Sequence, residues 1–307
     1  MNDAERDGPC SQVPPIYHRL VGDIVVTAIS DGYLNGSLDV LINISPSEVD
    51  QLMHDAFRTM PERRRRTSVN TFVVRVPGHP PVVVDAGSGD YLGPTAGRQI
   101  KNLKAAGILP SDVKSLLLTH MHPDHSGGLS ERATQKHLFP NAEIVMHEKE
   151  LPHWQDDGQM SKVSKQQQSL FFQGARNQIK PYLDRIRFFD SGEVVPGVHA
   201  IPSPGHTPGH TSYLVSSGSE SLLIWGDTVH VPEVQVPRPD AGVSFDTDPK
   251  SAIAARNRMF DMASSDKFLI AGMHLHFPAF SRMKRSNDGY ILVPEPWDQA
   301  FEPSAHG

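Results

Sequence analysis

The chain is predicted to fold as an α+β protein, two mixed β-sheets facing each other with helices outside. Three features carry that prediction. Short apolar runs of strand length, such as VVVDAGSG and SLLLTH, end abruptly in Gly, Asp or His. These runs come in paired clusters, each followed by segments of helical periodicity, in both halves of the chain. No Gly- or Ser-rich linker divides the halves. Residues 22–295 are therefore expected to form a single domain, with 1–21 and 296–307 as tails.

In chain order, GDIVVTAISDGYL (22–34) is expected as a strand running into a turn. Ser45 has the chemistry of a helix N-cap, Pro46 suits the first helical position and Glu48 would close a capping box. Val49, Leu52, Met53 and Phe57 follow at helical spacing and would give that helix one apolar face. TSVNTFVVRV and PPVVVDAGSG form a strand pair across Pro77-Gly78-His79-Pro80. A helix over 94–106 would then turn Ile100 and Leu103 inward and stop at Gly107. VKSLLLTH and NAEIVMHE are the next strands, and 163–184 is expected to be largely helical. GVHAIPSPGHT, TSYLVSS and SLLIWGDTV follow as three strands, then a helix over 249–264 and a final strand, KFLIAGMHLHF. PERRRR (61–66) reads as a solvated loop or oligomer contact rather than an anion site.

Composition narrows the function classes. A net charge of −6 without a basic stripe argues against nucleic acid and anionic membrane as partners. No apolar run approaches the ~18 residues needed to span a bilayer. The single cysteine, Cys10, allows no intrachain disulfide, and the acidic N-terminus lacks the apolar core of a secretory signal. A cytoplasmic enzyme is the expectation.

The chemistry concentrates at strand ends. His120, His122, Asp124 and His125 leave one loop, His206 follows another strand, Asp227 ends SLLIWGD and His274 ends KFLIAGM. Five imidazoles and two carboxylates without a thiolate are too many for a closed structural zinc site. They suit two ions sharing one carboxylate, with positions left open for water and substrate. Two clusters of three bridged by Asp227 fit the count.

THMHPDH, SPGHTPGH about 80 residues on, GDT some 20 further and a late AGMHLHFP together resemble the metallo-β-lactamase superfamily. That resemblance, spanning about 22–295, implies an αβ/βα sandwich with a metal pair at one edge. TSVNTFVV, GPTAGRQIKNLKAAG, HTPGHTSYLV and AGMHLHFPAF are most similar to the methyl parathion hydrolase group and its lactonase relatives. N-acyl homoserine lactone lactonases share the ligand pattern. Carried over by position, His120, His122 and His206 would hold one ion, Asp124, His125 and His274 the other, and Asp227 would bridge them. Asp85 and His210 would support the ligands from behind. Trp154, His230 and His276 would line the substrate pocket, although His230 stands where homoserine-lactone lactonases often carry a tyrosine. His276 competes with His274 for one role. Asn70 is assigned to local backbone, and His147 and His153 to surface or capping positions.

The resemblance implies two divalent ions per chain, zinc foremost, with iron, cobalt or manganese compatible with N/O ligation. Ions roughly 3.5–4 Å apart would lower the pKa of a bridging water towards ~7, giving a hydroxide that attacks a carbonyl or phosphoryl centre. Asp124 would carry a proton to the leaving group. The expected activity is hydrolysis of a lactone or related ester, with organophosphate triesters as further candidates, and the resemblance implies a homodimer in which 40–66 forms a lid or dimer contact. The rivals are a glyoxalase II-type thioester hydrolase, a β-lactamase and a mononuclear iron persulfide dioxygenase. A nuclease is disfavoured by charge, and a non-catalytic metal module by the intact ligand set.

Overall fold

The structure, a computed structural model, describes residues 12–59, 61–287 and 289–298. Cys10 and most of the 296–307 tail lie outside the described residues. The first sheet is ordered β1 (Ile16–Val21), β2 (Ile24–Ser37), β4 (Arg64–Arg75), β5 (Val82–Val84), β6 (Ser115–Leu117), β7 (Glu143–His147), β8 (Ile186–Phe189). The second runs β16 (Gly289–Pro294), β15 (Phe280–Ser286), β14 (Leu269–Ala271), β12 (Glu220–Ile224), β11 (Thr211–Ser217), β10 (Val198–Pro202), β9 (Gly192–Val195). A small pair, β3 (Leu41–Ile42) with β13 (Gly242–Val243), stands apart. The fold is the expected αβ/βα sandwich.

Strand alternation explains the double-sided core. On β4, Phe72 and Val74 face the second sheet, where they meet Tyr213, Ile224 and Phe280, while Val73 faces outward. On β6, Leu117 faces inward and Leu116 packs with Leu103 and Ile144 under the outer helices. β5 to β8 run parallel, and the inner three, β5 to β7, are covered on both faces, which is why their centres read as apolar runs. No helix among the described residues is long and apolar enough to cross a membrane.

Several expectations change. Ile16–Val21, assigned to a tail, is an edge strand of the first sheet. KFLIAGMHLHF is not the final strand: only Leu269–Ala271 is extended there, and the hairpin β15–β16 follows. Its FSRMKRS strand keeps Phe280, Ser281 and Met283 buried and puts Arg282, Lys284 and Arg285 outside, a charge content that hides it from a search for apolar runs. Ser45 does cap the helix Pro46–Asp55 by accepting from Glu48 N–H at 3.2 Å. The Glu48 carboxylate instead meets Arg238. That helix ends at Asp55, so Phe57 takes a positive φ and lies 94% exposed rather than on the apolar face. PERRRR is only partly a loop. Arg64–Arg66 extend β4 against Asn35–Ser37, and Arg63 pairs with Asp39 at 2.9 Å and with Asp50.

One buried acid pins the first sheet to the segment leading into the helix Gln99–Ala105. Asp31, fully buried, accepts from the backbone N–H groups of Ser88 (2.8 Å), Gly97 (3.0 Å) and Gln99 (2.8 Å). Removing the carboxylate strands two buried donors, Ser88 and Gln99 N–H, each worth about 1–3 kcal/mol, and one part-buried donor, Gly97 N–H. Asp31→Ala is expected to lower stability by about 3 kcal/mol or more, and Asp31→Asn by less. Denaturant melts of the three proteins check this, and an unshifted Asp31→Ala midpoint contradicts it.

Candidate metal centre

The loop after β6 is shaped from beneath. Asp85, at the end of β5, is fully buried and adopts a left-handed backbone with φ 62°. Such strain in a non-glycine residue persists only where its surroundings enforce it. Here its carboxylate accepts from Thr119 N–H and Thr119 Oγ1, both at 2.8 Å, and from His125 Nδ1 at 2.7 Å. Pro123–Ser126 then form one helical turn, with the N–H groups of His125 and Ser126 both bonding His122 O. One short loop thereby presents side chains to two clusters.

In the first cluster His120 Nε2 stands 3.0 Å from His122 Nδ1, which stands 2.9 Å from His206 Nε2. In the second, Asp124 Oδ2 lies 3.6 Å from His125 Nε2 and 3.5 Å from His274 Nε2. Asp227 sits between them. Its Oδ1 is 3.1 Å from His125 Nε2, and its Oδ2 is 3.4 Å from His206 Nε2, 3.2 Å from His274 Nε2 and 3.7 Å from His120 Nε2. The first sheet thus supplies His120 to His125, and the second supplies His206, Asp227 and His274 from the ends of β10, β12 and β14.

The donor set fits divalent ions. His125 Nε2 and Asp227 Oδ1 are buried without a hydrogen-bond partner, although they face each other. Burial, reinforced by neighbouring imidazoles, holds His120 and His122 well below the ordinary histidine range, so both are neutral and offer lone pairs. The ring nitrogens of His120, His122 and His206 converge to 2.9–3.0 Å, a spacing that a shared ring proton bridges and that a metal ion among them would suit equally. Burial also opposes charge on His125, yet Asp227, Asp124 and Asp85 push it well above the ordinary range. His206 is likewise raised to about 9, against burial, by Asp227 and Asp246. The carboxylates among these rings favour bound positive charge, and imidazole with carboxylate suits zinc and its neighbours.

The imidazoles of both clusters are extensively supported from behind, an arrangement suited to metal binding. His206 Nδ1 donates to Asp246 Oδ1 at 2.8 Å, and His274 Nδ1 to Ser68 O at 2.7 Å. His210 is not in either cluster. Its Nδ1 donates to Ser203 O (2.8 Å) and its Nε2 accepts from Asp227 N–H (2.8 Å), with burial keeping it neutral at about 3. Gly226, with φ 58°, is needed there, because a Cβ would stand 2.4 Å from His210 Nε2.

Glu150 and Asp246 are absent from the sequence reading. Glu150 is fully buried and accepts from Met121 N–H, Trp154 Nε1, Thr207 Oγ1 and Gly209 N–H at 2.7–3.1 Å, joining the two histidine loops. Neither acid has a spacing signature; each is a lone carboxylate in a turn or helix start. Asn70 bonds distant rather than local backbone, its Nδ2 donating to Gly272 O, Met273 O and Leu275 O and so fixing the His274 loop.

Two cavities adjoin the clusters. One, of about 200 Å³, is lined by Leu34, Leu92, Phe171 and Phe245 with His122 and Asp124. The other, of about 560 Å³, is lined by Tyr33, Met53, Phe57, Arg58, Glu233 and His276. Arg65, His230 and His274 face both. Trp154, expected in the pocket, lines neither. It is 2% exposed, is anchored to Glu150 and packs edge-on behind His122 at 5.2 Å; Phe171, at 4.7 Å, takes the pocket side. His276 does not compete with His274, since it is exposed and bonds Glu233 at 2.6 Å. His147 is buried and accepts from Lys149 N–H as a turn cap. Partly exposed His153 packs on Trp154 and Phe172.

Known proteins match this arrangement. Residues 64–274 match the metallo-beta-lactamase superfamily. The chain is 30% identical over 121 residues to the N-acyl homoserine lactonase AttM of Azorhizobium caulinodans, covering 38% of this chain and 41% of that protein. It is 26% identical over 175 residues to the N-acyl homoserine lactonase AiiA of Bacillus thuringiensis subsp. kurstaki, covering 56% and 60%. The matches therefore span about two to three fifths of these relatives. Among solved structures, the hydrolase AbOPH of the beta lactamase superfamily superposes with a TM-score of 0.88 at 30% identity, over 94% of this chain and 100% of that one. AidC, a dizinc quorum-quenching lactonase in complex with a product, gives 0.87 at 24% identity over 93% and 99%, a likeness of fold. Strand order, ligand loops and sequence match agree: the chain belongs to the metallo-β-lactamase superfamily.

Proposed function

We propose that this protein is a metal-dependent hydrolase that opens lactones or cleaves related esters at a two-ion centre. His120, His122 and His206 would hold one ion, Asp124, His125 and His274 the other, and Asp227 both. The observation that carries this reading is Asp227, whose Oδ1 faces His125 and is left buried and unpaired while its Oδ2 stands between His206 of one cluster and His274 of the other. Zinc is the proposed ion.

Bound ions of this kind act as Lewis acids towards a substrate carbonyl and lower the pKa of water to about 7. The chain's own residues do the rest. Asp85, Asp246 and Ser68 O fix the rings of His125, His206 and His274 in one orientation. Leu34, Leu92, Phe171 and Phe245 surround the smaller cavity with apolar surface, which excludes water from the ester and strengthens every charge interaction there. Asp124 is partly exposed at the cavity wall and would carry the proton to the leaving oxygen. Support for a lactone comes from the homoserine lactonases among the relatives. Organophosphate triesters remain secondary, as a specialised use of the same site.

Metal analysis is expected to give two ions per chain, with chelation abolishing hydrolysis and zinc restoring it. Asp227→Asn should lower metal content and cut kcat/KM by about 10³-fold; unchanged metal content together with unchanged hydrolysis would sink the two-ion reading. In a panel of lactones, aryl esters and organophosphates, lactones should rank first. Strong organophosphate turnover with none on the other two would reverse that order. The exposed Phe57 ring at the rim of the larger cavity supports a homodimer built on 40–66. Sedimentation showing a dimer that Phe57→Ser dissociates would bear this out, and a monomeric wild type would remove it.

A further inference from the structure

His230 belongs to neither ligand cluster, yet it is held as a ligand would be. The residue is 4% exposed, and neither of its ring nitrogens has a hydrogen-bond partner. A buried imidazole without partners is unfavourable, and a leucine would fill the same space without that penalty. Its backbone is fixed on both sides: His230 N–H donates to Gln235 Oε1 at 2.7 Å, and its carbonyl accepts from Arg65 Nη1 at 3.4 Å. Gln235 is itself buried and anchored through Nε2 to Ala241 O. The ring is therefore aimed rather than loose.

It is aimed at the centre. His230 Nε2 stands 3.1 Å from Asp227 Oδ2, and no hydrogen bond forms between them. The ring lies 4.7 Å from that of His206 and stacks at 27° on His274, 5.4 Å away. His206, Asp227 and His230 each offer a donor atom, all within 4.8 Å of one another. Two donors on one five-coordinate zinc, each about 2.0–2.1 Å from it, stand roughly 2.9–3.6 Å apart. The separations of 3.1 Å (His230 to Asp227) and 3.4 Å (His206 to Asp227) match that spacing.

We propose that His230 is an eighth metal donor, joining His206 and Asp227 on one divalent ion. The inference rests on the reading of the clusters as a metal centre and adds a ligand to it. Because His230 also faces both cavities, the donor stands where substrate approaches.

The test uses the full chain, stripped with chelator and titrated with Co²⁺ alone against a chromophoric competitor. In His230→Ala one site should weaken by about 10–100-fold, its visible cobalt band should shift, and free imidazole should restore the wild-type spectrum. His230→Gln, which keeps a polar side chain, should weaken the site as well, and it carries the experiment if the alanine variant does not fold by circular dichroism. A Co²⁺ affinity within about two-fold of wild type, with superimposable spectra, overturns the proposal while leaving the two-ion centre intact. A wild type that binds no Co²⁺ overturns both.

Discussion

A carboxylate buried among imidazoles is the constraint around which this molecule is organised. Asp227 is 4% exposed, and burial alone would drive it towards the neutral acid. The surrounding histidines, His125 and His274 foremost, outweigh burial and hold it well below the usual carboxylate range. An isolated charge at such depth is untenable, so the residue can exist there only in company. The neighbouring strands end where they do in order to supply that company.

A second layer converts company into geometry. Glu150 ties the His120 loop to the His206 loop, and Asn70 grips three carbonyls around His274. On the helix Pro249–Ser265, the buried Arg256 finds no carboxylate among its hydrogen bonds. Its Nε donates to Thr228 O at 2.7 Å and its Nη1 to Pro239 O and Ala241 O, so a guanidinium pulled down to about 10 by burial braces the segment after Asp227. These braces act through hydrogen bonds inside the protein, whereas His125 Nε2, Asp227 Oδ1 and both His230 ring nitrogens are buried without one.

Contiguity decided how much of this was legible in the sequence. His120 to His125 form a readable string because one loop must feed two clusters, and His206, Asp227 and His274 were found at the ends of apolar strands. Glu150 and Asp246 act through the fold, each as an acid whose bonds to the histidine loops span 29 to 59 residues, so no local spacing betrays them. Trp154 shows a different limit: an aromatic beside a ligand loop can face the pocket or the core, and only the Glu150 carboxylate taking its indole N–H decides. The strand Ile16–Val21 was hidden by His18 and Arg19 on an edge, where polar side chains are tolerated.

The distribution of donors over the two sheets has a consequence beyond chemistry. His120 and His122 come from one sheet and His206 from the other, and the same split divides Asp124 and His125 from His274. Neither sheet alone can assemble a complete set, so any ion bound there clasps one half of the sandwich to the other. Binding free energy at such a seam is folding free energy, and it grows with the free ion concentration relative to the dissociation constant. The ion supply of the surroundings thereby becomes a term in the docking of the two halves, and starvation for that ion would be felt first as a loosening of the seam between the sheets.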